Sequence, residues 1–302
     1  MITRDVDAFL AFARGCGPDF GVPTARAAFL VSPDGFARAE ESARDNRYMA
    51  AAGFDARAAL LEHRALHAAL SRELPVACFP GDPLAPDGLF PNNVFATVPG
   101  RLVVGRMRHP VRQREASRQD IRGFFRDLLG YAETDLSQQP HPCELTGALV
   151  IDRARGLGFC GLSERCDEAG AALMHAAFGL RATLLFDLAP GEYHANVVLA
   201  VLAGRAVIAS PRGFADPGVA AAIASLYAPH AITLSPAEHA AFAGNAIALS
   251  PDGVWMSAGA LAALTASTRD ALQRAGFEPR SVALPAIEAA GGSLRCCVAE
   301  IF

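Results

Sequence analysis

A chain of 302 residues with 52% apolar and 19% charged side chains has the composition of a soluble globular protein, long enough for two average domains or one large closed one. Its net charge of −4, with the basic residues scattered, argues against a nucleic-acid surface or a polybasic membrane anchor and points to a small-molecule partner. Residues Met1–Phe12 lack the basic start and unbroken apolar core of a signal peptide, and no apolar stretch is long enough to span a membrane.

Every basic side chain other than histidine is arginine, which reads as biased genomic composition, so individual arginines must be argued by position. The 7 cysteines form an odd, irregular set, as expected of free thiols in a reducing cytoplasm. None of their spacings to histidine resembles a zinc site, so neither a metal nor a cofactor is expected.

In chain order, residues 1–25 are polar and glycine-rich and read as an N-terminal extension, with a single domain over residues 26–302. Regular structure is expected to begin at the apolar run Ala27–Val31. Asp34–Tyr48 reads as a charged connection, Asp55–Leu74 has leucines at helical spacing, and Val76–Phe79 reads as a strand. The turn-rich stretch Gly81–Asn93 leads into a strand at Val94–Val98, a hairpin partner at Leu102–Gly105 and a helix over Arg114–Leu129.

The same order recurs with strands Ala148–Ile151 and Leu157–Gly161, helix Glu168–Phe178 and strand Thr183–Phe186. A third unit has strands Val197–Val201 and Ala206–Ala209, a helix from Pro217 to about Leu226 and strand Ile232–Leu234. A fourth has strands Ala246–Leu249 and Val254–Met256, helix Ala258–Arg274 and strand Val282–Leu284. A strand, strand, helix, strand unit repeating about every fifty to sixty residues suggests a ring of such units, closed by pairing a terminal strand, Leu294–Ile301, with the first unit.

Each unit would then send one loop towards the axis. Those loops are Asp87–Asn93, Cys143–Gly147, Gly191–Asn196, Phe242–Asn245 and Gly291–Cys296. An acid, a histidine and a thiol fall at equivalent positions just ahead of a strand, which argues for one composite active site. A cysteine acts as a nucleophile only when a base or a cation favours its thiolate, and the base can come from far away in sequence.

The motifs Glu144-Leu145-Thr146-Gly147, Tyr193-His194-Ala195-Asn196 and Gly291-Gly292-Ser293-Leu294-Arg295-Cys296 resemble those of the pentein superfamily, in its amidinotransferase and dimethylarginine dimethylaminohydrolase group. Phe90-Pro91-Asn92-Asn93-Val94-Phe95, Phe242-Ala243-Gly244-Asn245 and the ending Ala299-Glu300-Ile301-Phe302 resemble more closely the arginine-deiminase-related citrulline hydrolases.

The resemblance implies a five-bladed α/β-propeller of ββαβ repeats around a central channel. It also implies attack by Cys296 on a guanidinium or ureido carbon, a covalent thiouronium-type intermediate, and His194 as general acid and base with Glu144 beside it. Cys297, next along the same strand, would face the core. The implied substrate-binding residues are Asp87, Asn92, Asn93, Arg112, Arg165 and Asn196, with the two arginines gripping an α-carboxylate. His109, His141, His175, His230 and His239 read as surface residues.

Family members that bind a guanidinium cation commonly carry aspartates at the positions of Asn93 and Asn196. The amides here suit a neutral ureido group better, so a citrulline-like substrate, or a dihydrolase passing through a ureido stage, is expected. Asp87 and Glu144 keep guanidines open. Competing readings are an amidinotransferase and a non-catalytic propeller that binds a partner; the expected partner is a small-molecule amino acid, and a homodimer is an open arrangement.

Overall fold

The computed structural model covers residues 1–302, whose strands fall into five separate sheets of a mixed α/β fold. In each sheet a first strand runs antiparallel to a second, and the second runs parallel to a third. The sheets comprise Ala299–Ile301, Ala27–Val31 and Val76–Phe79; Phe95–Val98, Arg101–Val104 and Ala132–Asp135; Leu149–Asp152, Leu157–Leu162 and Ala182–Asp187; Leu199–Leu202, Ala206–Ala209 and Ala231–Thr233; and Ile247–Ala248, Gly253–Ser257 and Glu278–Val282. The antiparallel pair needs only a tight turn, whereas the parallel step needs a crossover, which here is helical in every unit.

Three of the crossover helices start where the sequence supplies an aspartate. Asp55, Asp167 and Asp216 each accept a hydrogen bond from a first-turn N–H of Ala56–Leu70, Glu168–Phe178 and Pro217–Ser225. First strands of different sheets pack together, Phe95–Val98 against Ala299–Ile301 and Leu199–Leu202 against both Leu149–Asp152 and Ile247–Ala248. The C-terminal strand closes the chain onto its beginning, with Ala299 opposite Phe29 and Ile301 opposite Ala27. No helix is long and apolar enough to cross a membrane.

Structure begins earlier than the glycines of the N-terminal stretch suggest. Ile2–Thr3 adds a fourth, parallel strand to the third sheet, and helix Val6–Ala13 follows, capped by Asp5. Phe9 and Ala13 are fully buried, with the Phe9 ring edge-on to Phe159 at 5.7 Å. The amphipathic spacing of Phe9, Leu10 and Ala13 carries the signal, but the polar surroundings hide it. Phe9→Ala is expected to lower unfolding free energy by about 3–5 kcal/mol, as for other buried aromatic truncations, measured by urea denaturation.

Two expected helices are broken. Arg114–Leu129 divides at the extended residue Arg118 (ψ 97), whose guanidinium turns back to the Pro80 carbonyl at 2.7 Å. Ala258–Arg274 divides at Leu264, after which the Thr265 hydroxyl accepts from Thr268 N and caps a second helix, a local bond that competes with helix continuation. The third strand of the last unit lies at Glu278–Val282, upstream of its expected place, because it pairs with Gly253–Ser257.

Candidate active site

Every first strand is entered through a tight turn, and these turns carry the motif residues. They are the 3-10 turn Pro91–Asn93, the single helical turns Leu145–Ala148, Ala195–Val198 and Leu294–Cys297, and the loop Phe242–Asn245. Cys296 and Cys297 therefore sit on a helical turn and not in the terminal strand, which begins only at Ala299. Strand alternation cannot separate them, but their neighbours do. Cys296 lines a cleft, whereas the Cys297 thiol lies 3.6 Å from the Ser293 carbonyl.

Asn245 holds the Cys296 turn in place. Its amide nitrogen donates to the Asn196 carbonyl at 3.0 Å and lies 3.3 Å from Cys296 Sγ, while its oxygen accepts from Arg295 N at 3.0 Å. The chain reaches this position because Gly244 lets it approach the turn at Val197: a Cβ there would lie 2.3 Å from the Val197 carbonyl oxygen. Asn196 is more distant, with side-chain atoms 3.9 Å from the sulfur. Burial pushes the Cys296 thiol up, partly offset by the Ser293 backbone hydrogen bond, Asn245 and the cations of Arg295 and Arg112.

His194 is fully buried, and its Nε2 lies 2.8 Å from Glu144 Oε2. Burial would raise the Glu144 carboxyl, but the Arg165 guanidinium and His194 outweigh it and hold the group down at about 2. Glu144 is therefore a carboxylate near neutral pH, the Nε2 it faces carries the proton, and Nδ1 is left as an acceptor. That Nδ1 has no hydrogen-bond partner. Burial pushes the imidazole below its usual value against the pull of Glu144, so it rests neutral at pH 7. Gly147 packs against it: a Cβ there would lie 2.8 Å from His194 Cε1 and 2.5 Å from Asn93 Oδ1.

The acid continues outward through a chain of contacts. Glu144 Oε1 accepts from Arg108 N at 3.0 Å and Oε2 from Arg165 Nη1 at 3.4 Å. Arg165 Nε and Nη2 donate to the two oxygens of Asp45 at 2.7 and 2.6 Å, and His109 Nε2 lies 3.2 Å from that same carboxylate.

The cleft at Cys296 is narrow, with a cavity of about 10 Å³, and it is lined by Asp87, Asn93, Arg112, Arg165 and Tyr193 together with Ser42 and Asn46. Room for about one water is all this leaves. Asp87 Oδ1 and Asn93 Oδ1 are buried without a partner. Burial raises the Asp87 carboxyl, with the Arg112 cation opposing it.

Arg112 is paired with Glu115 at 2.8 and 2.9 Å and donates to the Phe90 carbonyl at 3.0 Å. Both expected carboxylate-gripping arginines thus line the cleft, and both are engaged by carboxylates of the chain itself. Asn92 is not part of the cleft lining: its amide faces Thr146 Oγ1 at 3.4 Å, and the Thr146 hydroxyl donates to its carbonyl. Asn196 lines a separate cavity of about 50 Å³ among the first strands, with Arg153, Arg295 and Glu300.

Sequence reasoning misses Asp45, Asn46 and Tyr193 as parts of the cleft wall and second layer, and treats Asn245 only as a member of its loop. The dense polar sequence Ser42 to Tyr48 is the one signal available for the first two. His239 is also misread as a surface residue. It is 5% exposed and lies 2.9 Å from Glu192, an acid that also binds Tyr48 and Arg47. No group of three or more His, Cys, Asp or Glu side chains is arranged to hold a metal ion.

The family described as N,N dimethylarginine dimethylhydrolase, eukaryotic, matches residues 32–302. The N(G),N(G)-dimethylarginine dimethylaminohydrolase of Mycobacterium tuberculosis is 29% identical over 199 residues, a match that spans 66% of this chain and 61% of that relative's length. Among solved structures, the N-terminal domain of ArgZ, an arginine dihydrolase from the ornithine-ammonia cycle in Cyanobacteria, has a TM-score of 0.79 at 20% identity, covering 91% of this chain and 97% of that one. A dimethylarginine dimethylaminohydrolase adduct with S-methyl-L-thiocitrulline has a TM-score of 0.69 at 19% identity, covering 92% of this chain and 100% of that one.

Proposed function

The chain belongs to the N,N dimethylarginine dimethylhydrolase family, and from that premise we propose that it hydrolyses a C–N bond of a free guanidino amino acid through a covalent adduct on Cys296. The five sheets act as the blades of a five-bladed α/β-propeller, and the cleft at Cys296 is the mouth of its central channel. One observation carries the substrate reading. Two residues that line the cleft with the thiol, Asp87 and Asn93, each carry a buried oxygen without a partner, and buried acceptors of this kind suit a ligand rich in N–H donors.

The chemistry follows from the resting protonation states. A thiol pushed up by burial becomes a thiolate more readily when a guanidinium cation arrives beside it. The thiol proton passes to the unpartnered Nδ1 of His194, sulfur bonds to the guanidinium carbon, and the C–N bond breaks as the imidazolium gives that proton to the departing amine, leaving a thiouronium on Cys296. Water then adds to that carbon, giving its proton to His194, and the S–C bond breaks to return the thiol and release a ureido product. Glu144 holds the imidazole and stabilises its protonated form. Asn245 positions the sulfur, and Arg112 and Arg165 receive the substrate carboxylate.

The amides Asn93 and Asn196 favour a second reading, in which a ureido group is the substrate or a further stage. The seven free cysteines support a reducing compartment such as the cytoplasm. Incubating the protein with arginine, N,N-dimethylarginine and citrulline, and measuring released ammonia and dimethylamine, tests both readings. Release from a guanidino acid with accumulation of citrulline supports the first reading, and ammonia from citrulline itself supports the second. A protein inert towards all three, whose Cys296 also resists a haloacetamidine probe, refutes both.

A further inference from the structure

We propose that Asp45 occupies the carboxylate subsite of the unliganded enzyme, as a built-in competitor that the α-carboxylate of the substrate displaces from Arg165. The inference rests on the reading of Arg165 given above and adds what stands in its way.

Arg165 has no donor edge to spare. Nε and Nη2 grip Asp45 as a two-pronged fork, Nη2 also reaches the Ser42 carbonyl at 3.2 Å, and Nη1 faces Glu144. The pair is enclosed, with the Arg165 side chain 2% and that of Asp45 16% exposed. An incoming carboxylate can use this fork only by taking the place of Asp45, which is an exchange of one carboxylate for another. Such an exchange leaves neither a buried cation nor a buried anion unpaired, whereas simple removal of Asp45 would strand Arg165 beside Glu144 alone.

The displaced group has somewhere to go. On its other side Asp45 faces His109 and lines an outer cleft of about 520 Å³ with Glu41, Arg44, Arg108 and Glu164. Ser42 and Asn46, close to it in sequence, line the narrow Cys296 cleft, so withdrawal of Asp45 with this segment would enlarge the space that the substrate needs. Arg112 does not offer an easier seat. Its Nε and Nη2 are held by the more deeply buried Glu115, close by on the same segment, and only Nη1 is free of a protein partner.

The test is binding by calorimetry in a Cys296→Ser background, which keeps the ligand intact, with and without Asp45→Asn. L-arginine and agmatine, its counterpart without the carboxylate, are the two probes. Removing the competitor is expected to tighten arginine by about tenfold, the gain when a binding-competent state rises from about a tenth to nearly all of the population, and to leave agmatine within about twofold.

In the Cys296 enzyme the same substitution should lower KM for the carboxylate-bearing substrate with little change in kcat. Asp45→Glu keeps a carboxylate that can compete for the fork, so it should not tighten arginine as Asp45→Asn does, and thermal melts of both variants establish folding. Equal tightening of both probes would reduce Asp45 to a tether of its own segment, and unchanged or weaker arginine binding in a folded variant would refute the competition outright. If neither probe binds any variant, the functional reading itself falls, which is a different result from arginine binding that ignores Asp45.

Discussion

Cys296→Ser is expected to lower kcat/KM by on the order of 10⁴-fold, because an alcohol does not replace a thiolate as nucleophile and the remaining contacts supply only binding. Cys297→Ser, one residue away, should retain kcat within about threefold, since its sulfur packs against Ser293 and never meets the substrate. The pair is informative because both thiols are at most 1% exposed, so burial cannot tell them apart, and only Cys296 has Asn245 directed at it. Steady-state kinetics on both variants, with thermal melts to establish folding, provide the measurement. Equal losses in both would indicate damage to the turn and not loss of the nucleophile.

Glu144→Gln is the second large effect, with kcat expected to fall by on the order of 10³–10⁴-fold through loss of the group that fixes the imidazole and stabilises its cation. It should also change the response to acid. Glu144 is lowered in the folded protein from 4.5 to about 2, so its contribution to stability is complete above about pH 4.5 and is lost as pH falls towards 2. His194 is lowered from its usual 6.5, so the unfolded chain takes up that proton first, and this too removes stability as pH falls below 6.5.

Melting temperature followed from pH 7 to pH 3 should therefore decline in the wild-type protein. Glu144→Gln should start lower, because Arg165 and His194 lose a buried partner, and fall less steeply below pH 4.5. A variant with the same acid slope as wild type would show that the carboxyl does not titrate as described.

The repeating units were legible because each has the two signals that sequence carries well. Short apolar strands are separated by turn formers, and crossover helices are opened by Asp55, Asp167 and Asp216. Helix Glu168–Phe178 can be delimited from sequence because an aspartate cap and a left-handed Gly179 mark its ends. The break at Arg118 was not legible, because its side-chain partner, the Pro80 carbonyl, is known only after folding, whereas the break at Leu264 is a local one, made by the Thr265 cap on Thr268 N that competes with helix continuation. The entry turns read as strand because their apolar residues are continuous with the strands they precede, and one helical turn is too short to produce its own periodicity.

For the site, the sequence by itself determined which groups are candidates for the chemistry. An acid, an imidazole and a thiol each stand just before an apolar strand, within motifs that local chemistry makes readable. Tertiary structure alone decided what those groups face: Asn245 against the sulfur, Glu144 shared between His194 and Arg165, and Asp45 seated in the Arg165 fork 120 residues away in sequence. The physical reason is that a motif specifies the turn its residues adopt, whereas the charge and hydrogen-bond partners of a buried group come from whichever distant segments the closed chain brings against it. No spacing along the sequence encodes that pairing.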